Sequence, residues 1–286
     1  MAHAGRLPAT ERHPWSFAAA MERPDIGVDV GDFRLAPKDA LRLAVDLSFR
    51  EIELPTVGGD LAPRNLSSSG RRHLARLVDG LGLHMAALRG DMAGIRLTDP
   101  RTVDQRIART CEVIELARDL GVGVVTASTG ALTHPETGEP SAQAIDALRR
   151  IGEFADARGV SYAIRPTRDG GERLVSVLDA LACPAISVCL DPAELAMNGT
   201  NPMSGIERFV ERVSLMHVRD GTVGRADGAG HETPLGEGDV DMVGLLAVLS
   251  AADYTGPYIL RTVDSQNPAA DIEKARTVFG GWLPPG

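Results

Sequence analysis

Two apolar runs in this chain, Ile186-Ser187-Val188-Cys189-Leu190-Asp191-Pro192 and Leu215-Met216-His217-Val218-Arg219-Asp220, end in residues able to move a proton or hold a cation. A carboxylate at the end of an apolar strand needs a partner, and an imidazole titrates near neutral pH. Two further runs, Tyr162-Ala163-Ile164-Arg165-Pro166 and Ile259-Leu260-Arg261-Thr262, end in arginine. A guanidinium cannot act as a base at neutral pH, but its fixed fork can hold a carboxylate, a phosphate or a developing oxyanion. Glu53 shares a strand face with Glu51, and Arg219 shares one with His217. Glu194 follows Asp191 closely, and Gly236-Glu237-Gly238 permits a tight turn that projects Glu237. The catalytic candidates are therefore Asp191, His217 and Glu53, and the substrate-binding candidates are Arg165, Arg261, Glu194, Arg219 and Glu237. The bland alternative makes Arg165–Asp191 and Arg261–Glu194 ion pairs that fill the barrel mouth.

Such residues converge only if the strands share a direction. Eight strand candidates alternate with helical patterns: Ile26–Val30, Glu51–Pro55, His84–Gly90, Val124–Ser128, Ser161–Pro166, Ile186–Asp191, Ser214–Asp220 and Pro257–Thr262. The helices predicted between them are Pro37–Leu47, Ser69–Leu81, Arg101–Leu120, Ala142–Ala157, Glu172–Leu181, a short element from Met203 to Arg212, Met242–Ala251 and Pro268–Phe279. Repeated strand–helix units of this length make a single (β/α)8 TIM barrel over residues 25–286, whose functional groups gather at the carboxyl ends of the strands. Residues 1–24 lack periodicity and read as an extension or flap that Trp15 and Phe17 could anchor. The Gly-rich stretch Gly221–Val240 is the lid candidate. His231 within it reads as a solvated loop residue, and His84 as one on the opposite, stability face.

With 286 residues and 43% hydrophobic content the chain can bury one large core. It has no stretch of the roughly 20 apolar residues that a membrane span needs, and no secretory h-region. The expectation is a soluble, cytoplasmic protein without membrane partners. Cys111, Cys183 and Cys189 lie in apolar contexts without metal-type spacing and read as reduced thiols. A net charge of −9 argues against nucleic acid as a partner and leaves a small-molecule substrate.

Five segments carry a resemblance to the xylose isomerase-like barrels, which include sugar isomerases, epimerases and the endonuclease IV group: Phe49–Leu54, Leu190–Leu195, His217–Asp220, Pro234–Asp241 and Gly256–Leu260. The resemblance implies a divalent ion held by Glu, Asp, His and Glu at the ends of the fifth to eighth strands. Asp191 and His217 match that set, while Arg165 and Arg261 stand where the two Glu ligands belong. A unit charge at about 4 Å is worth roughly 4 kcal/mol at an effective dielectric near 20, and a divalent ion doubles the repulsion from each arginine. No cofactor is therefore expected. Mn, Mg, Co or Zn could bind only through substituted ligands such as Glu53, Glu194, Glu237 or His231.

These readings point to an isomerase- or epimerase-like enzyme that moves a proton on a small polyhydroxylated, anionic, sugar- or cyclitol-like substrate without the inherited metal. The alternatives are a dehydratase or lyase on the same scaffold, and a non-catalytic barrel that binds a ligand or partner. The resemblance also allows a homodimer.

Overall fold

The structure, a computed structural model, describes residues 25–223 and 228–283. Eight parallel strands close into a barrel: β1 (Ile26–Asp29), β2 (Glu51–Pro55), β3 (His84–Arg89), β4 (Val124–Gly130), β5 (Ser161–Pro166), β6 (Ile186–Leu190), β7 (Val213–Val218) and, after the small antiparallel pair β8 (Asp220–Gly221) and β9 (Glu232–Thr233), β10 (Tyr258–Leu260). The ring closes where β10 pairs with β1, in the register Ile26–Tyr258 and Val28–Leu260. Their residues are mostly buried because helices cover the outside, as a parallel sheet requires. Those helices are α1 (Pro37–Asp46), α2 (Ser68–Gly80), α3 (Val103–Leu120), α4 (Ala142–Asp156), α5 (Glu172–Leu181), α6 (Pro192–Met197), α7 (Met242–Ala251) and α8 (Pro268–Trp282). The single barrel expected from the sequence is the fold observed.

Local signals set the helix ends. Ser67, Ser141 and Asp241 accept hydrogen bonds from the backbone of Gly70, Ala144 and Gly244, satisfying first-turn donors. Gly121, at φ 73°, ends α3 in the left-handed conformation that glycine adopts without a Cβ clash. Inside α3, Arg106 is buried, and its guanidinium donates to the carbonyls of Met92, Ile95 and Ser128. It ties the segment after β3 to the end of β4, a role the apolar stripe of this helix does not announce.

Three segments differ from expectation. The helix predicted over Met203–Arg212 is two 3-10 turns, Ile206–Arg208 and Val210–Arg212. The helix following β6 is instead α6, started by Pro192 in its first turn and by the Asp191 side chain, which accepts from Glu194 N. The strand expected over Ser214–Asp220 ends at Val218, because Asp220 turns away to pair with Thr233 in the β8–β9 hairpin. Helix α8 runs past Phe279 to Trp282, whose rings meet edge to face. The extension proposed for residues 1–24 lies outside the described residues, as do positions 224–227 of the lid candidate. No helix among the described residues is long and apolar enough to cross a membrane.

Candidate active site at the carboxyl ends of the strands

A small inner cluster of Ala87, Ala163, Cys189, Leu215 and Ile259 packs inside the barrel. The two-residue strand period points the next inward residue of each of these strands, Arg89, Arg165, Asp191, His217 and Arg261, toward the carboxyl end. The same step leads from Gly27 to Asp29 and from Glu51 to Glu53. An apolar layer thus carries a charged layer directly above it.

At the centre, His217 Nε2 lies 2.8 Å from Glu53 Oε2 and Nδ1 lies 3.4 Å from Asp191 Oδ2, with all three side chains fully buried. Burial pulls the imidazole pKa down, but the acidic groups around it, Cys189, Glu53 and Asp191, raise it well above the usual histidine value. Burial pushes Glu53 up, yet His217, Arg261 and Arg89 bring it down to about 2. Thr126 donates its hydroxyl to the other Glu53 oxygen. Asp191 is likewise held well below the carboxylate range against its burial, by Arg219, His217 and Arg165. The three residues the sequence nominates as catalytic are therefore brought together, as a carboxylate–imidazolium–carboxylate stack.

The arginines frame this stack. Arg219 grips both oxygens of Asp191 through Nε at 3.1 Å and reaches Glu194 at 3.5 Å and Glu232 at 3.0 Å with its terminal nitrogens. Arg165 donates Nε to Glu194 Oε2 at 2.9 Å and Nη2 to Asp91 at 2.7 Å, while its Nη1 is buried without a partner. Arg261 forks onto Asp32 at 3.0 and 3.2 Å and stands 3.3 Å from Asp29. The pairing expected between Arg165 and Asp191 is a loose 4.0 Å approach. The pairing expected between Arg261 and Glu194 gives way to Asp29 and Asp32, because β10 closes against β1 whereas Glu194 sits on α6, over β6 and between Arg165 and Arg219.

Glu237 stays out of this network. It is exposed, since the amides of Gly236 and Gly238 turn inward onto Asp220 Oδ2 at 3.0 Å and face the carboxylate between them outward. Glu232 of the hairpin enters instead. Asp29, Asp32, Arg89, Asp91 and Glu232 are the members that sequence reasoning did not name. Asp29 and Arg89 carried the same signal as Asp191, a polar residue ending an apolar strand. Asp29 is pushed up to about 6 by burial and by Asp32 and Glu53, against Arg89 at 2.5 Å and Arg261. His231 is exposed and contacts Thr222, and His84 pairs with Glu51 at the opposite end of the barrel.

Residues 41–280 match the family described as Xylose isomerase-like TIM barrel. This chain belongs to that family. Among its relatives, the putative L-ribulose-5-phosphate 3-epimerase SgbU of Escherichia coli strain K12 is 25% identical over 174 residues, covering 58% of this chain and 61% of that protein. The L-ribulose-5-phosphate 3-epimerase UlaE of Salmonella paratyphi C is 24% identical over 252 residues, covering 83% and 87%. A xylose isomerase domain protein from Planctomyces limnophilus superposes with a TM-score of 0.80 at 19% identity, covering 91% of this chain and 98% of that one. A xylose isomerase-like TIM barrel protein from Mycobacterium smegmatis, solved in complex with magnesium, superposes at 0.70 with 18% identity, covering 91% and 96%. The chain spans about three fifths of the length of the Escherichia coli relative and most of the length of the Salmonella one.

The donor set of this family member does not fit a divalent ion at the strand ends. Two of the four positions that the resemblance assigns to metal ligands hold the guanidiniums Arg165 and Arg261. The remaining two, Asp191 and His217, have their donor atoms engaged by Arg219, Glu194 N and Glu53. Among the described residues no group of three or more His, Cys, Asp or Glu side chains is arranged to hold a metal.

Proposed function

We propose that this barrel is a metal-independent proton-transfer enzyme of the isomerase or epimerase type, acting on a small polyhydroxylated, anionic, sugar- or cyclitol-like substrate. The observation that carries the reading is the Arg165–Glu194 pair: one guanidinium bonded to Glu194 keeps a buried donor, Nη1, without an acceptor. Glu194 is raised above the ordinary glutamate value by burial and by Asp191, and its side chain is 18% exposed at the mouth. A carboxylate made more basic by its surroundings, beside an unfilled cationic donor, suits enolisation.

In this reading the carboxylate of Glu194 takes the proton from a carbon next to a carbonyl. The C–H electrons move into the C–C bond and the carbonyl electrons onto oxygen, where Arg165 Nη1 meets the new negative charge. The proton of the neighbouring hydroxyl then passes to the new alkoxide, giving the isomeric enediolate, and returning the first proton to the former carbonyl carbon re-forms the carbonyl next to it, regenerates Glu194 and completes a 1,2-isomerisation. In the dehydratase outcome the enolate electrons re-form the carbonyl and a new C–C double bond as the β-hydroxyl leaves, protonated by Glu194 to water. Asp191, His217 and Glu53 act here as positioning residues. Their saturated, solvent-free stack fixes Arg219 and, through it, Glu194.

The burial of that stack also favours the second reading, a barrel that binds a ligand without turning it over. The deciding experiment is proton–deuterium exchange followed by NMR over a panel of aldoses, ketoses, cyclitol ketones and sugar acids in D2O. The enzymatic reading expects exchange at a carbon alpha to a carbonyl that disappears in Glu194→Gln. Binding without exchange across the panel would favour the second reading.

A further inference from the structure

At the mouth of the barrel one carboxylate comes from the β8–β9 hairpin. Glu232, on β9, is gripped by donors from two strand ends. Arg219 Nη1, beyond β7, donates to Oε2 at 3.0 Å. Beyond β10, Thr262 Oγ1 donates to Oε1 at 3.1 Å, and Val263 N lies 2.9 and 3.2 Å from the two oxygens. These donors are set by the barrel and not by the hairpin. Arg219 is fixed on Asp191, Thr262 N donates to Asp32 Oδ2 at 3.0 Å, and Arg34 donates to the Val263 carbonyl.

The occupant rests on a slighter support. Among the described residues the β8–β9 hairpin pairs Asp220 with Thr233 and Gly221 with Glu232, and a two-stranded hairpin is marginal by itself. Asp220 anchors its base through the amides of Gly221, Gly236, Gly238 and Val240. The remaining ties along the described part are Thr222 N to the His231 carbonyl at 2.9 Å, His231 N to Thr222 Oγ1 at 3.0 Å, Val223 N to Asp239 Oδ2 at 2.8 Å, Asp239 N to the Gly221 carbonyl at 3.0 Å and Gly230 N to the Met197 carbonyl at 2.8 Å, nearly all of them within the hairpin and its own base. Thr233 Oγ1, next to Glu232, is buried without a partner, so the closed hairpin is short of one hydrogen bond.

We propose that Glu232 is the built-in occupant of a carboxylate seat formed by Arg219, Thr262 and Val263 N, and that a small hydroxycarboxylate binds this barrel by displacing it. The present occupant defines the chemistry: two coplanar oxygens and one negative charge meet three donors. A phosphate dianion fits less well, because Asp191, Glu194 and Asp32 border the same donors and repel a second charge. The seat also adjoins the proton-transfer pair, since Glu194 Oε2 is 3.5 Å from Arg219 Nη2 and 2.9 Å from Arg165 Nε. A sugar acid seated by its carboxylate would extend its hydroxylated carbons toward Glu194 and Arg165. Only that last assignment, ligand as substrate, rests on the proposed activity.

Displacement has a measurable signature, because apparent affinity falls by the fraction of molecules whose seat is open. Calorimetric titration of the full chain with D-gluconate, inorganic phosphate and neutral D-glucitol is expected to give gluconate binding about tenfold tighter or more in Glu232→Ala than in the unmodified protein, with no gain for glucitol. In the unmodified protein, gluconate should speed hydrogen exchange at the Thr222 and His231 amides while Gly236 and Gly238, held by Asp220, stay protected. Unchanged gluconate affinity in Glu232→Ala together with unchanged hairpin exchange would overturn the seat. A gain for phosphate without one for gluconate would overturn its carboxylate character. Neither measurement involves turnover, so gluconate binding through the emptied seat by an inactive protein would sink the enzymatic reading and leave the seat standing.

Discussion

His217 Nε2 stands 2.8 Å from Glu53 Oε2, and neither side chain touches solvent. The pair ties β7 to β2 across the barrel, and its charge state gives stability a defined pH dependence. Glu53, lowered from the ordinary 4.5 to about 2, contributes stability that is present above 4.5 and lost as pH falls toward 2. His217, raised above 6.5, contributes stability that is complete below 6.5 and lost as pH rises through its folded value. Asp29, raised from 3.8 to about 6, works against Glu53, because its share is present below 3.8 and lost by about 6. The difference in urea midpoint between the unmodified protein and His217→Gln should therefore narrow steadily above pH 6.5. A constant difference from pH 5 to 9 would mean that the fold does not raise the imidazole pKa.

Breaking the same pair should cost much more than removing it whole. His217→Ala leaves Glu53 buried with only Thr126 as a side-chain donor, and an uncompensated buried charge typically costs about 3–5 kcal/mol. Glu53→Gln combined with His217→Gln removes both charges and should recover a clear part of that loss in chemical denaturation. Equal destabilisation by the single and double variants would show that volume, not charge, holds this position.

The guanidiniums at the ends of β5 and β10 predict a metal response that can be reversed by design. The protein purified without chelator should show no thermal shift with EDTA or with Mn, Mg, Co or Zn. Replacing Arg165 and Arg261 with Glu together should create a metal-dependent rise in Tm, since ligand-linked stabilisation grows with occupancy. About one tightly held metal per unmodified chain would refute the reading of the donor set.

The division of labour between Arg165 and Glu194 is separable by kinetics. On any substrate that shows exchange, Glu194→Gln should lower kcat by roughly 10²–10⁴-fold, the usual loss of an acid–base group. Arg165→Lys keeps the charge but not the fork, and should lower kcat by about 10²-fold or more with a smaller change in KM. A variant affecting KM alone would assign Arg165 to ground-state binding.

Strand ends made the centre of this site legible in the sequence. Asp191, His217, Arg165 and Arg261 each stand at the end of an apolar run, Glu53 shares a strand face with Glu51, and the two-residue period fixes which way they point. Partner choice was not legible, because Arg261 finds Asp32 only through closure of β10 on β1, between residues 229 apart in the chain. Glu232 sits in a two-residue strand and Asp32 in a single 3-10 turn, both too short for periodicity to mark direction. Glu237 misled for a local reason: in Gly236-Glu237-Gly238 the glycine amides are the inward groups, and the acid between them is the outward one. Arg106 was hidden by its helix, whose apolar spacing says nothing about a guanidinium reaching carbonyls of the β3–α3 connection.

Asp220 is the residue that most directly links the lid candidate to the barrel. It follows β7 by two positions, is buried, and accepts from the amides of Gly221, Gly236, Gly238 and Val240 at 2.8 to 3.2 Å. A Cβ at Gly238 would lie 2.2 Å from Asp220 Oδ1, so the loop approaches this closely only because that position is glycine. Asp220→Asn keeps the shape but turns one acceptor into a donor facing amides. With hydrogen bonds to a charged acceptor worth about 1.5–3 kcal/mol each, the variant should lose roughly 2–4 kcal/mol. The loss should be local, with amide exchange at Gly236, Gly238 and Val240 rising while amides of β4 and β5 stay protected. Uniform acceleration across the barrel would instead make Asp220 part of the global folding unit and remove the basis for a hairpin that moves independently.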